Sequence, residues 1–130
     1  MKTLIKNGTV VTVERSFQAD ILIEGEQISQ IAPALDCADA EVVDAAGLLI
    51  LPGGIDVHVH INLPMGATVS SDDYYTGSKA AAFGGTTTMI DFVSQDSGSL
   101  AENVARKRAE AEDKAAIDYS LHMNITRFDE

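Results

Sequence analysis

The chain has 130 residues, of which 45% are hydrophobic and 22% charged, with 10 glycines and 3 prolines. This composition is typical of a folded globular chain and excludes disordered, collagen-like and disulfide-rich classes. Nine Lys and Arg against 20 Asp and Glu give a net charge of −11, which repels phosphate backbones and anionic lipid surfaces. We therefore expect neither nucleic acid nor a membrane as a partner.

The cysteine content and the N-terminus indicate the compartment. The single cysteine, Cys37, has no partner for an internal disulfide, and charge interrupts the N-terminus too early for a signal peptide. No apolar run approaches the roughly 18 to 20 residues that a membrane span needs. The sequence thus predicts a soluble, cytoplasmic protein.

Residues 1–52 consist of short β-prone runs separated by turn residues. The pair Asn7-Gly8 lies between two such runs, 3–6 and 9–13, and predicts a β-hairpin turn. Further strands are expected at residues 19–24, 27–32, 41–44 and 48–51. We interpret this segment as a small β-domain.

From residue 53 onward the pattern changes to alternating strands and helices. Gly53 and Gly54 permit a tight chain reversal, after which residues 55–60 alternate apolar and polar. The elements that follow are predicted as a helix over 72–83, a strand over 86–92, a helix to about residue 115 and a strand over 118–125. This order is typical of a parallel α/β fold, either a barrel or a doubly wound sheet. Three strands are too few for a closed barrel of about 250 residues, so residues 53–130 are predicted to open a larger domain of a longer chain.

Side-chain spacings mark the ends of the two helices. Ser70 precedes Asp73 by three residues, and Ser99 precedes Glu102 by three, which is the spacing of a capping box. A glycine pair at residues 84–85 predicts a left-handed cap at the end of the first helix.

His58 and His60 are the sharpest chemical feature of the sequence. In a β-strand, residues two apart point to the same face about 6.6 Å apart along the strand, so two imidazoles converge readily on one metal ion. Carboxyl ends of strands are also where barrel enzymes place their sites. The alternative is a pair of ordinary polar side chains on one strand face.

Five segments together carry a resemblance to a known family. They are residues 4–11 (LIKNGTVV), 52–60 (PGGIDVHVH), 63–66 (LPMG), 81–92 (AAFGGTTTMIDF) and 117–122 (IDYSLH). In this combination the chain resembles the N-terminal part of the dihydropyrimidinase and D-hydantoinase family of cyclic amidohydrolases, over essentially its whole length.

The resemblance implies an architecture and a cofactor. The fold would be the start of a (β/α)8 TIM barrel from residue 53 to 130, preceded by part of a β-sandwich domain in residues 1–52. His58 and His60 match the first two ligands of a binuclear zinc site. The family's remaining machinery is a carbamylated lysine, two further histidines, a general-base aspartate and an oxyanion-stabilising tyrosine. All of it would lie beyond Glu130, so this fragment would carry no catalytic residue and be inactive alone. Family members are commonly homotetramers.

The resemblance also implies the reaction, which is hydrolysis of a cyclic amide in a dihydropyrimidine or a 5-substituted hydantoin. Leu63 and Met65 match the loop that contributes apolar side chains around the substrate's exocyclic group; the alternative is a packed surface loop. Dihydroorotases usually place an arginine directly after the His-x-His motif, whereas residues 61–63 here are Ile-Asn-Leu. We therefore expect a small, neutral cyclic ureide as substrate. Another cyclic amidohydrolase, such as an allantoinase, and a non-catalytic dihydropyrimidinase-like assembly protein remain the alternatives.

Four other polar side chains have structural and functional interpretations. Asp56 shares a strand face with the two histidines and would either orient a ligand or bind backbone. Asp91, near the end of the second predicted strand, would either support the metal site or anchor a loop. His122 is expected to face the barrel interior as a hydrogen-bonded core residue, and Tyr74 to pack within its helix.

Overall fold

The computed structural model describes residues 1–128, which form two compact units, Met1–Pro52 and the part of the chain from Gly53 onward. Within those residues, no helix is both long and apolar enough to cross a membrane. Each unit has its own main β-sheet, and both helices belong to the second unit.

The first unit is a five-stranded sheet. Its strands are β1 (Lys2–Val11), β2 (Ser16–Glu24), β3 (Gln27–Ala32), β4 (Glu41–Asp44) and β5 (Leu49–Ile50). The strands β1, β2 and β3 pair antiparallel in that order, whereas β4 and β5 both run parallel to β1 along its other edge. Each strand predicted between residues 19 and 51 therefore has a counterpart in the structure.

The hairpin predicted at Asn7-Gly8 is wrong. The strand β1 continues through this pair as a β-bulge, with Asn7 in the left-handed region at φ 63°. The Asp20 carboxylate accepts the backbone N–H of Asn7 at 2.9 Å, and Asp44 accepts its side-chain amide at 2.9 Å. Because two carboxylates hold Asn7, the Asn-Gly pair bends the strand, and the chain reverses at residues 12–15 instead.

Apolar side chains of β1 and β2 form the core of the first unit. Val10, Ala19 and Ile21 are buried together. Side chains packed against them are Ile5, Phe17, Ile23 and Ile50. Outside this core, large apolar side chains remain exposed on β4 and β5, including Val42 and Leu49.

The second unit is a parallel α/β arrangement. Its elements are β6 (Gly54–Val59), β7 (Pro64–Met65), β8 (Thr68–Val69), α1 (Tyr74–Phe83), β9 (Thr86–Ser94), α2 (Leu100–Ala111) and β10 (Asp118–Asn124). The main sheet has the order β10-β9-β6 with parallel neighbours, while β7 and β8 form a small antiparallel hairpin. The predicted strands and helices are present, but α2 ends about four residues earlier than expected and His60 lies just past the end of β6.

The cap of α1 differs from the predicted one. Its N-cap is Asp73, whose carboxylate accepts the backbone N–H of Thr76 at 2.8 Å, while the Thr76 hydroxyl accepts the N–H of Asp73 at 3.1 Å. These hydrogen bonds hold the pKa of Asp73 below its usual value. The predicted pairing of Ser70 with Asp73 is wrong, because the Ser70 hydroxyl accepts the backbone N–H of Leu63 instead.

The cap of α2 and the end of α1 confirm the sequence analysis. The Ser99 hydroxyl accepts the N–H of Glu102 at 3.2 Å, and the Glu102 carboxylate accepts the N–H of Ser99 at 2.7 Å. Gly85 adopts the left-handed conformation at φ 86°, directly after the C-cap residue Gly84. A side chain at Gly85 would be strained, because L-residues avoid this region.

The core of the second unit lies between its sheet and its helices. Ile61, Tyr74, Met89 and Ala111 are buried together. Half-buried side chains packed against them are Val59, Ala115, Ile117 and Tyr119. Since Ile61 directly follows His60, this core holds the chain immediately after the His-x-His segment.

The two glycines at the start of the second unit have a packing role. Neither Gly53 nor Gly54 adopts a positive φ, so the predicted reversal does not explain them. A Cβ placed on Gly53 would lie 2.1 Å from Oγ1 and 2.2 Å from Cγ2 of Thr87. A Cβ placed on Gly54 would meet Thr86 Oγ1 at 3.4 Å, an ordinary contact. Close approach to the short, branched Thr87 side chain therefore requires glycine at position 53.

This difference predicts unequal effects of two neighbouring substitutions in the complete protein that carries this chain. Gly53→Ala should lower the free energy of unfolding by about 1–3 kcal/mol, because the branched Thr87 side chain has little freedom to move aside. Gly54→Ala, the matched control, should change it by less than about 0.5 kcal/mol. Urea denaturation of the two variants measures the difference, and equal destabilisation would show that Thr87 relaxes without cost.

Candidate functional site

The carboxyl end of β6 presents two histidines on one side. His58 lies in the strand and His60 one residue past Val59, its last residue, so the period of two places both imidazoles on the same face. Both side chains are exposed, their ring centroids are 5.1 Å apart, and their Nε2 atoms approach to 3.2 Å. The predicted convergence of the two rings is therefore present.

Two arrangements explain an Nε2–Nε2 distance of 3.2 Å. One is a hydrogen bond between rings in opposite tautomers, with one Nε2–H donating to the other nitrogen. The other is shared coordination, because two ligand bonds of 2.0–2.1 Å at a tetrahedral angle place the nitrogens about 3.3 Å apart. The distance between the two Nε2 atoms thus fits two ligands of a single metal ion.

Aromatic rings extend this surface across the sheet. The Phe92 ring of β9 lies with its centroid 4.5 Å from that of His58 and 5.3 Å from that of His60. The ring of His122, on the strand at the other edge of β9, has its centroid 5.2 Å from that of Phe92. His122 alternates with half-buried Leu121 and Met123, so it faces away from the helices as predicted, but its side chain is exposed in the described part of the chain and not in a core. Phe92 limits the freedom of both β6 imidazoles.

Asp56 binds backbone. Its carboxylate accepts the N–H of His58 at 3.1 Å, a local bond at the side of the strand. Of the two interpretations of Asp56, the backbone hydrogen bond is the one present.

Asp91 anchors the turn that follows His60. Its Oδ1 accepts the N–H of Ile61 at 3.3 Å and that of Phe92 at 2.7 Å, while Oδ2 accepts the Tyr74 hydroxyl at 2.7 Å. The side chain is 1% exposed, so each of these bonds forms away from water. Burial, followed by the hydrogen bond to Asp91, raises the pKa of Tyr74 far above its usual value. Tyr74 therefore remains a hydrogen-bond donor to this carboxylate.

Lys107 is the residue of this cluster that sequence analysis missed. Its Nζ lies 3.2 Å from Asp91 Oδ2 and donates to the carbonyl of Ile61 at 2.7 Å. A further contact joins it to Glu110 at 3.4 Å. The only local signal was Asp91 itself, since a carboxylate within a buried, apolar strand requires a cation or several donors.

Leu63 and Met65 lie in different surroundings. Leu63 is half-buried and lines a cleft of about 310 Å³ beside His60. Met65 lies on the β7–β8 hairpin with 53% of its surface exposed. The basic residues that line the cleft are engaged by carboxylates: Arg106 contacts Asp96 at 3.0 Å, and Lys107 contacts Asp91.

Within residues 1–128, no cluster of three or more His, Cys, Asp or Glu side chains is arranged to hold a metal ion.

Comparison with known proteins places this geometry in a family. The amidohydrolase family model matches residues 49–126. A D-hydantoinase of Geobacillus stearothermophilus is 46% identical over 97% of this chain and 27% of its own length. A dihydropyrimidinase of Dictyostelium discoideum is 46% identical over 98% of this chain and 26% of its own length. The chain therefore spans about a quarter of the length of these relatives.

The fold agrees with the sequence relatives. The crystal structure of dihydropyrimidinase from Brevibacillus agri NCHU1002 matches all of this chain and 28% of its own, with a TM-score of 0.96 and 48% identity. The resemblance to dihydropyrimidinases and D-hydantoinases is thus confirmed in both sequence and mixed-sheet fold. On the match over residues 49–126 and these relatives, the chain belongs to the amidohydrolase family.

Proposed function

We propose that this chain is the N-terminal part of a metal-dependent cyclic amidohydrolase that opens dihydropyrimidine or 5-substituted hydantoin rings. The observation that carries the proposal is the pair of Nε2 atoms of His58 and His60, 3.2 Å apart at the carboxyl end of β6. The reaction class is supported by 46% identity both to a D-hydantoinase and to a dihydropyrimidinase.

The proposed architecture is a (β/α)8 barrel that begins in residues 53–130 and a β-sandwich domain to which residues 1–52 contribute. Ile55 and Val57 of β6, at one edge of the parallel sheet, are 64% and 59% exposed, as expected of a strand that another element covers. Exposed Val42 and Leu49 in the first unit support a second sandwich layer in the same way.

In the proposed site, His58 and His60 hold one metal ion through neutral Nε2 atoms, and we propose zinc as that metal, in a binuclear site. When bound, such ions lower the pKa of water toward neutrality and polarise an amide carbonyl. Two further residues of this chain orient the histidines. Phe92 confines both imidazoles, and Asp91 fixes the turn after His60. The remaining ligands and the groups that move protons belong, in this proposal, to residues outside this chain.

We propose Leu63 and Met65 as the substrate-binding residues, which contact the exocyclic substituent of the ring. Half-buried Leu63 lines the cleft beside His60, and the exposed Met65 side chain is available to a ligand. Since Arg106 and Lys107 are paired with carboxylates, the cleft favours a neutral ureide over an anionic one. A cytoplasmic location and a homotetrameric assembly complete the proposal, as predictions from the sequence and its resemblance.

The metal role predicts different outcomes for His58 and His122 in the complete protein. His58→Ala should remove one of two converging ligands and lower both the zinc content and the rate of ring opening by at least tenfold. His122→Ala, the matched control, should leave the zinc content unchanged, because His122 lies on β10, which β9 separates from β6. Elemental analysis and hydrolysis of dihydrouracil measure the two effects. Unchanged zinc content in His58→Ala would leave the hydrogen bond between rings as the role of the pair.

The substrate role predicts a ranking of kcat/KM. Dihydrouracil and a 5-aryl hydantoin should be opened far faster than dihydroorotate, because burying an unpaired carboxylate in the cleft would cost several kcal/mol. Met65→Ala should slow the 5-aryl hydantoin more than dihydrouracil, since each Å² of apolar contact contributes roughly 25 cal/mol.

Val69→Ala on the paired strand of the same hairpin is the control for the Met65 variant and should leave the preference unchanged. A preference for dihydroorotate, or equal slowing of all substrates by Met65→Ala, would contradict the assignment of this hairpin to substrate binding.

A further inference from the structure

Two charged side chains bind the peptide groups on either side of Ile61, the buried carboxylate of Asp91 and the largely buried ammonium of Lys107. The Ile61 N–H donates to Asp91 at 3.3 Å, and its carbonyl accepts from Lys107 Nζ at 2.7 Å. Its side chain is 7% exposed and lies in the core beside Tyr74. The first residue after His60 is therefore fixed through its N–H, its carbonyl and its side chain.

Lys107 binds the peptide group that follows Ile61, and it also contacts Asp91, which binds the peptide group before Ile61. Nζ lies 3.2 Å from Asp91 Oδ2, and the Lys107 side chain is only 13% exposed. The same ammonium lies 5.2 Å from the centroid of the Tyr74 ring, whose hydroxyl donates to Asp91. A charge pair and a tyrosine thus form one closed network with the Ile61 backbone, and Lys107 supplies its only contact to the Ile61 carbonyl among the described hydrogen bonds.

The orientation of His60 depends on this network because His60 and Ile61 share a peptide bond. That peptide is planar and carries the N–H that Asp91 binds, while Lys107 binds the carbonyl of the next peptide, so the two bonds together restrict the Ile61 backbone torsions beside His60. Metal–ligand distances are held within about 0.2 Å, so a small rotation carries an imidazole out of ligand range. The charged cluster is absent on the His58 side, where the described support is the bond from Asp56 and the Phe92 ring.

We propose that Lys107 is a positioning residue for metal binding, acting through Asp91 and the Ile61 carbonyl to set the position of His60. The inference rests on the proposed function, since it assigns Lys107 to the metal site proposed there. Lys107 touches neither imidazole among the described contacts, so it acts by restricting the turn. Lys107 on α2 thereby helps to hold His60 of the proposed metal site in place.

The test compares zinc affinity with stability in the complete protein. Lys107→Met removes the ammonium and keeps an unbranched side chain, and we expect zinc to bind 10–100-fold more weakly, measured by competition with a chromophoric chelator. Lys79→Met, an exposed lysine on α1, is the matched control and should bind zinc as the wild type does.

A double variant separates positioning from stability. Asp91→Asn combined with Lys107→Met removes both charges, so the buried site no longer holds an unpaired carboxylate, and the urea midpoint should return toward that of Lys79→Met. The Ile61 carbonyl remains without its ammonium donor, so zinc binding should stay weak. This variant also provides the test if Lys107→Met alone does not fold.

The outcomes distinguish the two proposals. Zinc affinity in Lys107→Met within twofold of the Lys79→Met control, or affinity that recovers together with stability in the double variant, would overturn the positioning role and leave the proposed function standing. A wild-type protein that binds no zinc would overturn both. The visible absorption of cobalt(II) bound in place of zinc gives a second readout, because its bands depend on ligand geometry and should change in Lys107→Met but not in Lys79→Met.

Discussion

The buried carboxylate of Asp91 is the constraint on which the second unit depends. A carboxylate that is 1% exposed is stable only when donors and a cation surround it. The partners of Asp91 come from three different places: Tyr74 begins α1, Lys107 lies on α2, and Ile61 follows β6. Satisfying one carboxylate therefore fixes two helices and the turn after His60 relative to the sheet.

The features that the sequence predicted well are those set by local periodicity. A period of two brings His58 and His60 to one face whatever the rest of the chain does, and the Ser99 cap is complete within four residues. The features it missed need partners distant in the sequence. Asn7-Gly8 became a bulge because Asp20 and Asp44 hold it, and these carboxylates lie 13 and 37 residues away.

Lys107 illustrates the same limit at the site. Helical periodicity assigns apolar residues of a helix to the buried side and a lysine to the solvent side by its charge. A lysine has an apolar stem long enough to place its ammonium far from its own Cα, and here it reaches a carbonyl 46 residues earlier in the chain. Helical periodicity predicts the direction of the Cα–Cβ bond, whereas the position of the lysine ammonium depends on the nearest buried anion.

The charge distribution around the histidine pair follows from this pairing. Asp91 is 1% exposed, and its negative charge is compensated by the Lys107 ammonium at 3.2 Å. The network therefore orients the turn after His60 while adding little net charge beside the histidine pair. Neutral imidazoles likewise contribute no charge, so they would lower the Lewis acidity of a divalent ion held as proposed less than anionic ligands would. Anionic ligands, which the proposal assigns to residues outside this chain, would then determine how strongly such an ion activates water.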